Sequence, residues 1–349
     1  MPADAREISR AVFAYYRWLG WLDRNQPIAA QVNQSLELAR RFVDAPASFP
    51  DAELTARAVP AWAREEMEIT ADWARSIQEE PVLWLRAKQG QGEALARKLG
   101  SGAVYAQTAA AESSEATLPD ALLYEGEQDL FRRPEFQAGE FEIQDISSQA
   151  VGRLCDPKPG ETWWDACAGE GGKLLHLSDL MQNKGLIWAS DRAEWRLKKL
   201  KLRAARAKCF NYRVALWDGG KKLPTRTKFD GVLVDAPCSN IGTWQRNPHA
   251  RWTTTTQDVR ELADVQQWLL AQAARAVKPG GKLIYSICTL TRAETTAVAA
   301  AFESEFADFE PLPLANPFDP AAPPTPRLWL WAQQTGGNGM FIAAWRRAA

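Results

Sequence analysis

The chain contains few of the residues that most often bind metals or form disulfides. Its 349 residues include two histidines, His176 and His249, and five cysteines. Two histidines argue against a histidine-based metal centre and against a Ser-His-Asp triad. The cysteines, at positions 155, 167, 209, 238 and 288, form no close-spaced pair, which suggests neither a zinc ribbon nor a disulfide framework. We therefore expect no metal.

Long apolar runs are also missing. No stretch approaches the ~20 apolar residues that a membrane span needs, and the N-terminal residues MPADAREISR do not form a signal peptide. The hydrophobic fraction of 46% and the charged fraction of 24% are those of an ordinary globular protein. We expect a cytoplasmic protein without membrane contacts, and the charge balance raises no objection to a monomer.

The formal net charge of -1 conceals a local excess of positive charge. Between positions 192 and 208, Glu194 is the single acid among eight basic residues: Arg192, Arg196, Lys198, Lys199, Lys201, Arg203, Arg206 and Lys208. One interpretation is a solvated amphipathic helix whose Leu197, Leu200 and Ala204 face a sheet. The other is a basic face that contacts the phosphates of a nucleic acid. Composition alone does not choose between them.

Three regions differ in their hydrophobic pattern. Residues 1–80 have helical apolar spacing and predict an N-terminal helical segment, with helices over Ala5–Gly20, Ala29–Val43 and Ala61–Ile77. Residues 81–135 predict a small α/β module with strands over Val82–Arg86, Ala103–Gln107 and Ala121–Tyr124, a helix over Glu93–Leu99 and an exposed loop over Thr108–Thr117.

Strands and helices alternate through the third region, residues 136–349. The predicted strands are Thr162–Cys167, Leu186–Asp191, Arg213–Asp218, Phe229–Asp235, Lys282–Cys288 and Phe341–Arg346. The predicted helices are Leu174–Gln182, Glu194–Cys209, Gln257–Val277 and Arg292–Ser304. This alternation is typical of an α/β domain whose mostly parallel sheet has helices on both faces.

Two cysteines lie at strand ends fifty positions apart. Cys238 stands in the sequence Asp-Ala-Pro-Cys-Ser and Cys288 in Tyr-Ser-Ile-Cys-Thr, each directly after a predicted buried strand. Ligands of an open parallel sheet bind outside the carboxyl ends of its strands. We therefore expect both thiols to point towards one crevice.

A glycine-rich turn follows the first predicted strand of this domain and opens a helix. It comprises Cys167, Ala168, Gly169, Glu170, Gly171, Gly172 and Lys173. Glycines let a ligand approach the backbone, and the helix N-terminus presents free amides. The turn lacks the GxxxxGK[ST] spacing of a phosphate loop, and Glu170 would repel a pyrophosphate. A zwitterionic nucleoside cofactor such as S-adenosylmethionine fits better.

Acids end three further strands, namely Asp191, Asp218 and Asp235. A carboxylate at the end of the second strand is placed to accept hydrogen bonds from ribose hydroxyls. Any one of these acids could simply cap a helix or loop, but four strand ends agree on a cofactor site. We also assign Arg196, which closely follows Asp191, to that site.

These motifs resemble the S-adenosylmethionine-dependent RNA cytosine-5 methyltransferases of the RsmB/Sun/nucleolar-protein type. The resemblance runs from about Phe136 to the C-terminus and, more faintly, back to Trp84. The most specific part extends from Asp235 through Cys238 to Trp252, and the order is completed by the Cys288 motif and by residues 339–343. Gly169-Glu170 stands where the family usually has Ala-Pro, and Asn338 stands where it usually has aspartate.

The resemblance implies a Rossmann-like class I methyltransferase domain, preceded by a small RNA-binding module, and a covalent mechanism. Cys288 would add to carbon 6 of the cytosine, Asp235 would hydrogen-bond the base edge, and Cys238 would assist release of the enzyme. Asp191 and Asp218 would bind the ribose and the adenine of S-adenosylmethionine. A cation favours a thiolate, so Lys173 could lower the pKa of a nearby thiol or position the base.

Single-stranded or looped RNA is the expected substrate, with ribosomal RNA favoured over transfer RNA. Arg246, Arg251 and Trp252 either contact the target nucleotide or belong to a loop pinned by Pro248. Three other functions would leave different features in the sequence. A DNA cytosine-5 methyltransferase would use Cys238 as its nucleophile, an amino-methylating enzyme would need an Asn/Asp-Pro-Pro-aromatic element, and a cofactor-impaired RNA-binding protein would keep only the fold.

Overall fold

The N-terminal segment is a small bundle of helices. A computed structural model of the protein describes residues 3–105 and 118–349. The helices of this segment are α1 (Ala3–Arg17), α2 (Ile28–Asp44), α3 (Asp51–Arg57), α4 (Ala63–Glu66) and α5 (Ala71–Ser76). The single helix predicted over 61–77 is wrong, because Met67 adopts an extended backbone and the Thr70 hydroxyl starts a new helix by accepting the Trp73 N–H.

A four-stranded antiparallel sheet with the order β2-β3-β1-β4 follows. Its elements are β1 (Leu83–Ala87), α6 (Gly92–Leu99), β2 (Gly102–Val104), β3 (Ala121–Tyr124), α7 (Pro134–Gln137) and β4 (Phe141–Ile143). Because β4 pairs with β1, this sheet extends past the boundary predicted at residue 135. The loop predicted over 108–117 and the end of the strand predicted over 103–107 lie outside the described residues.

The main sheet has the predicted mostly parallel arrangement. Its strands are β5 (Thr162–Asp165), β6 (Leu186–Asp191), β7 (Tyr212–Leu216), β8 (Phe229–Asp235), β9 (Val277–Ile287), β10 (Phe309–Pro311), β11 (Arg327–Leu330) and β12 (Met340–Arg347). Their order is β10-β12-β9-β8-β5-β6-β7, with β11 also paired to β12. Strands β9, β8, β5, β6 and β7 run parallel, and the β12 neighbours are antiparallel.

Helices cover both faces of the main sheet, as predicted. They are α8 (Ile146–Cys155), α9 (Gly172–Leu180), α10 (Glu194–Arg206), α11 (Ala250–Thr253), α12 (Thr256–Ala274), α13 (Thr296–Glu305) and α14 (Ala332–Thr335). Along β8, Val232 and Val234 are buried in one core and Leu233 in the other. A parallel strand buried on both faces reads as a continuous apolar run. None of the helices in the described part of the chain could span a membrane.

The basic helix α10 is largely engaged within the molecule. Leu197, Leu200 and Ala204 are buried against the sheet, as the amphipathic interpretation predicts. Arg203 and Arg206 both form ion pairs with Glu142 of β4, and the Arg206 guanidinium lies 3.6 Å from the Phe136 ring centroid. Further ion pairs join Lys198 to Glu194 and Lys199 to Glu170. These contacts support a structural role in which α10 fixes the small sheet to the main domain.

Candidate active site

A cleft of about 540 Å³ opens at the carboxyl ends of β5, β6, β8 and β9. That volume lies within the range of small-molecule sites. The predicted site residues that line it are Cys167, Ala168, Gly169, Glu170, Gly172, Lys173, Asp191, Arg196, Asp218, Asp235, Cys238 and Cys288. Gly171 is the exception: its φ is +88°, and a Cβ there would lie 2.8 Å from Leu200 of α10. Its glycine therefore serves close packing of the turn against α10.

The two strand-end thiols meet inside this cleft. The Sγ atoms of Cys238 and Cys288 are 3.4 Å apart. Cys238 is buried, whereas Cys288 is partly exposed and its thiol donates to Asn240 Oδ1 at 3.2 Å. A hydrogen bond that Cys238 donates to the Cys288 sulfur, together with burial, raises the pKa of Cys238 well above its ordinary value. The pair is therefore asymmetric, with Cys288 the thiol that a ligand can reach and Cys238 the one held protonated.

Lys173 and Asp235 form an ion pair next to the thiols. Lys173 Nζ donates to Asp235 Oδ2 at 2.6 Å, and Ser286 Oγ donates to Asp235 Oδ1 at 2.8 Å. Burial would lower the pKa of Lys173, but the Asp235 carboxylate and Cys288 outweigh it and raise that pKa above its usual value. The ammonium is therefore protonated at neutral pH. It holds the Asp235 carboxylate in place and puts positive charge near Cys288.

The cofactor side of the cleft is formed by the glycine turn and Asp191. Gly169 adopts a left-handed backbone with φ +54° and has open space where a side chain would project. Its N–H donates to Asp191 Oδ2 at 3.0 Å, and the Ala193 N–H donates to Asp191 Oδ1 at 2.8 Å. Each carboxylate oxygen can still accept another hydrogen bond. Asp191 thus braces the turn while keeping acceptor capacity for a ligand hydroxyl.

Asp165 is a site residue that was not among the predicted set. It ends β5, is fully buried and lines the cleft, and neither of its carboxylate oxygens has a hydrogen-bond partner. Burial, reinforced by Asp235 and Asp191 and opposed by Lys173, raises the pKa of Asp165 to about 8. An unpaired carboxyl facing a cleft fits a cationic group of a ligand. The strand-end rule that selected Asp191 would also have selected this acid.

The unusual Glu170 is neutralised at the protein surface. Its Oε1 accepts from Lys199 Nζ at 3.0 Å, and its backbone carbonyl accepts from Arg203 at 3.2 Å. Both ion-pair partners are substantially exposed, so the pair contributes little energy. Its geometry nevertheless directs the negative charge towards α10. The residue that departs from the family pattern is thus accommodated by the basic helix.

Arg251 and Trp252 attach the Cys238 loop to the N-terminal helices. The Arg251 guanidinium is fully buried and donates to the carbonyls of Arg17, Ala58, Ile77 and Trp244 and to the Gln78 side chain. Trp252 Nε1 donates to the Tyr16 carbonyl. The suggestion that Arg251 contacts a nucleotide is therefore wrong, because all the hydrogen bonds of its guanidinium go to groups in the protein interior.

Arg246 contacts Asn338, which lines the cleft. Its guanidinium donates to Asn338 Oδ1 at 3.0 Å and to Asp145 Oδ2 at 2.8 Å. The Asn338 N–H in turn donates to Asp145. An asparagine at 338 therefore supplies the acceptor that orients Arg246, as an aspartate could. No group of three or more potential metal ligands occurs in the part of the chain that the structure describes.

The fold and the cleft define a class I methyltransferase domain: a mostly parallel sheet with a glycine turn and acidic strand ends on one side. Three comparisons with known proteins identify the family within this class. The model of the 16S rRNA methyltransferase RsmB/F family matches residues 153–346. The chain belongs to this family, and S-adenosylmethionine is therefore its cofactor.

Similar proteins extend the match to most of the chain. A ribosomal RNA small subunit methyltransferase B of Xylella fastidiosa is 32% identical, covering 94% of this chain and 75% of that protein. A probable ribosomal RNA small subunit methyltransferase B of Bacillus subtilis is 39% identical over 218 residues, or 61% of this chain. The chain spans about half the length of this second relative, 49%. A methyltransferase homologue from Pyrococcus horikoshii shares the fold with a TM-score of 0.62 and 26% identity, covering 79% of this chain and 90% of its own.

Proposed function

We propose that this protein transfers a methyl group from S-adenosylmethionine to carbon 5 of a cytosine in RNA, through a covalent cysteine adduct at carbon 6. The observation that carries the proposal is the pair of thiols 3.4 Å apart in the same cleft as the acidic strand ends. Ribosomal RNA is the favoured substrate, because the relatives at 32% and 39% identity are named for it. We expect the protein to act as a cytoplasmic monomer.

The partly exposed Cys288 is the nucleophile in this proposal. Carbon 5 of cytosine is a weak nucleophile, so a thiolate first forms a bond to carbon 6 and the electron pair moves to carbon 5. The Lys173 ammonium favours the Cys288 thiolate, and Asp235 hydrogen-bonds the base edge. Burial of Cys238 argues against attack by that thiol, which is the arrangement a DNA cytosine-5 methyltransferase would need.

Cys238 assists the release step in this proposal. After carbon 5 has gained the methyl group, a base must remove its hydrogen as a proton. The electron pair of that C–H bond then re-forms the carbon 5–carbon 6 double bond, and the Cys288 thiolate leaves carbon 6. Cys238 lies beside that leaving sulfur and is held as a neutral thiol, so it can donate a proton to Cys288.

The cleft residues fit the cofactor group by group. Bound S-adenosylmethionine supplies an electrophilic methyl group. Asp165 is available for its ammonium, since both carboxylate oxygens are unpartnered. Asp191 retains acceptor capacity for the ribose hydroxyls, and the exposed Asp218 lies at the cleft edge for the adenine. Arg196, 3.9 Å from Asp191, lies at the same edge.

The experiment is incubation of the purified protein with isotope-labelled S-adenosylmethionine and either small-subunit ribosomal RNA or transfer RNA. We expect labelled 5-methylcytidine in the ribosomal RNA, located by bisulfite sequencing. Label confined to transfer RNA would overturn the ribosomal assignment. Unmethylated RNA despite measurable cofactor binding would overturn the enzymatic proposal. Loss of cofactor binding as well would favour an RNA-binding protein that keeps only the fold.

A further inference from the structure

Glu294 connects the two cysteine loops from behind the cleft. Its carboxylate is fully buried in the segment between β9 and α13. The hydroxyls of Ser239 and Thr289, the residues directly after Cys238 and Cys288, both donate to Glu294 Oε2, the latter at 3.2 Å. These two hydroxyl oxygens are also 2.8 Å from each other. One side chain therefore fixes the chain positions that follow both thiols.

Three further donors complete the shell of Glu294. Oε1 accepts from the Ser239 N–H and from Gln266 Nε2 of α12, both at 2.9 Å. Oε2 accepts from Thr291 Oγ1, also at 2.9 Å. The carboxylate thus receives hydrogen bonds from the β8 loop, the β9 loop and α12. We call this set, Glu294 with Ser239, Thr289, Thr291 and Gln266, the Glu294 clasp.

Burying the Glu294 carboxylate costs desolvation free energy, so the clasp is an unfavourable arrangement if its role is structural alone. No lysine, arginine or histidine in residues 3–105 and 118–349 forms an ion pair with Glu294. Apolar residues usually fill such a position at least as stably as a buried charge does. Buried polar networks instead specify one arrangement of the groups they join. Here the joined groups are the supports of the two thiols.

We propose that Glu294 is a positioning residue that holds Cys238 and Cys288 in thiol–thiol contact. The inference rests on the proposed function of the two cysteines. Glu294 does not line the cleft, so it acts on the reaction only through the loops that it joins.

The clasp also affects the protonation of Cys238. The charges that face this thiol are the Cys288 sulfur, which has the largest effect, and the Glu294 carboxylate behind the loop; both raise the pKa of Cys238, as burial does. The Lys173–Asp235 ion pair lies next to Cys288. Glu294 thereby favours the neutral thiol at Cys238.

The test compares Glu294→Gln with Tyr285→Phe. The glutamine keeps the shape but removes the charge and turns one acceptor into a donor against Ser239 and Thr289. The matched control removes a hydroxyl that donates to Gln266 and to the Glu294 backbone carbonyl in the same buried cluster, and it leaves every hydrogen bond to the Glu294 carboxylate in place. The first readout is closure of a Cys238–Cys288 disulfide by diamide, in which the two thiols lose two protons and two electrons to the azo bond.

We expect Glu294→Gln to slow disulfide closure at least tenfold and to lower kcat for methyl transfer by about 10- to 100-fold, with KM for the cofactor unchanged. The iodoacetamide profile of Cys238 in this variant should move to lower pH. Tyr285→Phe should leave closure and the pH profile as in the wild type. If Glu294→Gln does not fold, Thr289→Ala removes one tie and should slow closure in the same direction.

Closure at the wild-type rate in both clasp variants would overturn the inference, and so would equal slowing in Tyr285→Phe. Closure and alkylation are measured without RNA or cofactor. A wild-type protein that closes the disulfide rapidly but methylates no RNA would therefore refute the proposed function and leave the clasp standing.

Discussion

The two halves of the cleft are assembled in different ways. The cofactor half consists of Asp165, the glycine turn and Asp191, which are close in sequence and lie on adjacent strand ends. The thiol half consists of loops that depend on distant contacts. Ile241, Trp244 and Leu290 pack in the core of the N-terminal helices, and Arg251 donates to carbonyls at positions 17, 58 and 77. One half is a local motif, whereas the other requires the whole chain to fold.

This difference suggests that the N-terminal helices affect catalysis indirectly, because they support the loops that carry the thiols and do not touch the substrate. They bury the loop after Cys238 and the residue two positions after Cys288. The backbone of Arg292 also donates to the Glu66 carbonyl. Changes in the helical segment should therefore alter the thiols and spare the cofactor half. The predictions below separate the two halves.

Lys173→Met, at the junction of the two halves of the cleft, should have the largest effect. Removing the ammonium leaves Asp235 without its cation and Cys288 without nearby positive charge, so methyl transfer should fall by about 10²- to 10³-fold. The pH profile of cysteine alkylation should move to higher pH. Lys158→Met, at an exposed lysine away from the cleft, is the control. An unshifted alkylation profile would remove the proposed role of Lys173.

Arg251→Met should damage the thiol half through stability. The change leaves several buried carbonyls without a donor, and each costs about 1–3 kcal/mol, so the free energy of unfolding should fall by about 3 kcal/mol or more. Calorimetric cofactor binding by the folded protein should persist while methyl transfer drops. Arg260→Met, at an exposed position of α12, should change stability by less than about 0.5 kcal/mol. Equal losses in both variants would contradict the long-range account.

Asp165→Asn tests the cofactor half of the cleft through the number of protons released when the cofactor binds. With a pKa of about 8, Asp165 is mostly protonated at pH 7, and binding a cationic group to its carboxylate must expel that proton. Titration calorimetry in buffers of different ionisation enthalpy should show release of about one proton per cofactor in the wild type. The asparagine variant should release none. Asp44→Asn, at an exposed carboxylate of α2 that does not line the cleft, should behave as the wild type does.

The smallest expected effect is that of Lys199→Ala, which removes the partner of Glu170. An exposed ion pair contributes about 0–1 kcal/mol, so the Kd for S-adenosylmethionine should rise less than about fivefold. Glu170→Gln should have an effect of the same size or smaller. A loss of binding beyond about a hundredfold in either variant would show that this turn is weakened by its departure from the family pattern.

Most of the main domain was predictable from sequence because its signals are local. The strands Leu186–Asp191 and Phe229–Asp235 were predicted with their observed bounds, since an apolar run ends at an acid in each. Strand β9 begins at Val277, five residues before the predicted start at Lys282, because the sheet continues through a register shift near Phe229. Helix α8 and the short strands β4, β10 and β11 were missed.

The supports of the site were less predictable than its cleft residues. Nothing in the local sequence distinguishes Arg251, which is buried, from Arg246, which contacts the cleft-lining Asn338. Glu294 lies six positions after Cys288, inside the helix predicted over Arg292–Ser304 but before the observed start of α13, and its partners are up to 55 positions away. Such roles depend on long-range packing, which a linear pattern does not encode residue by residue. The alternative interpretations of the basic helix were likewise separated only by its contacts with Glu142.

The most direct test of the central claim is covalent capture of RNA by the two cysteine variants. Cys238→Ala and Cys288→Ala are each incubated with S-adenosylmethionine and substrate RNA, and protein–RNA adducts are resolved by denaturing electrophoresis and mass spectrometry. If Cys288 attacks and Cys238 assists release, Cys238→Ala accumulates a methylated adduct and Cys288→Ala forms none. An adduct in Cys288→Ala together with none in Cys238→Ala would reverse the two roles and contradict the account.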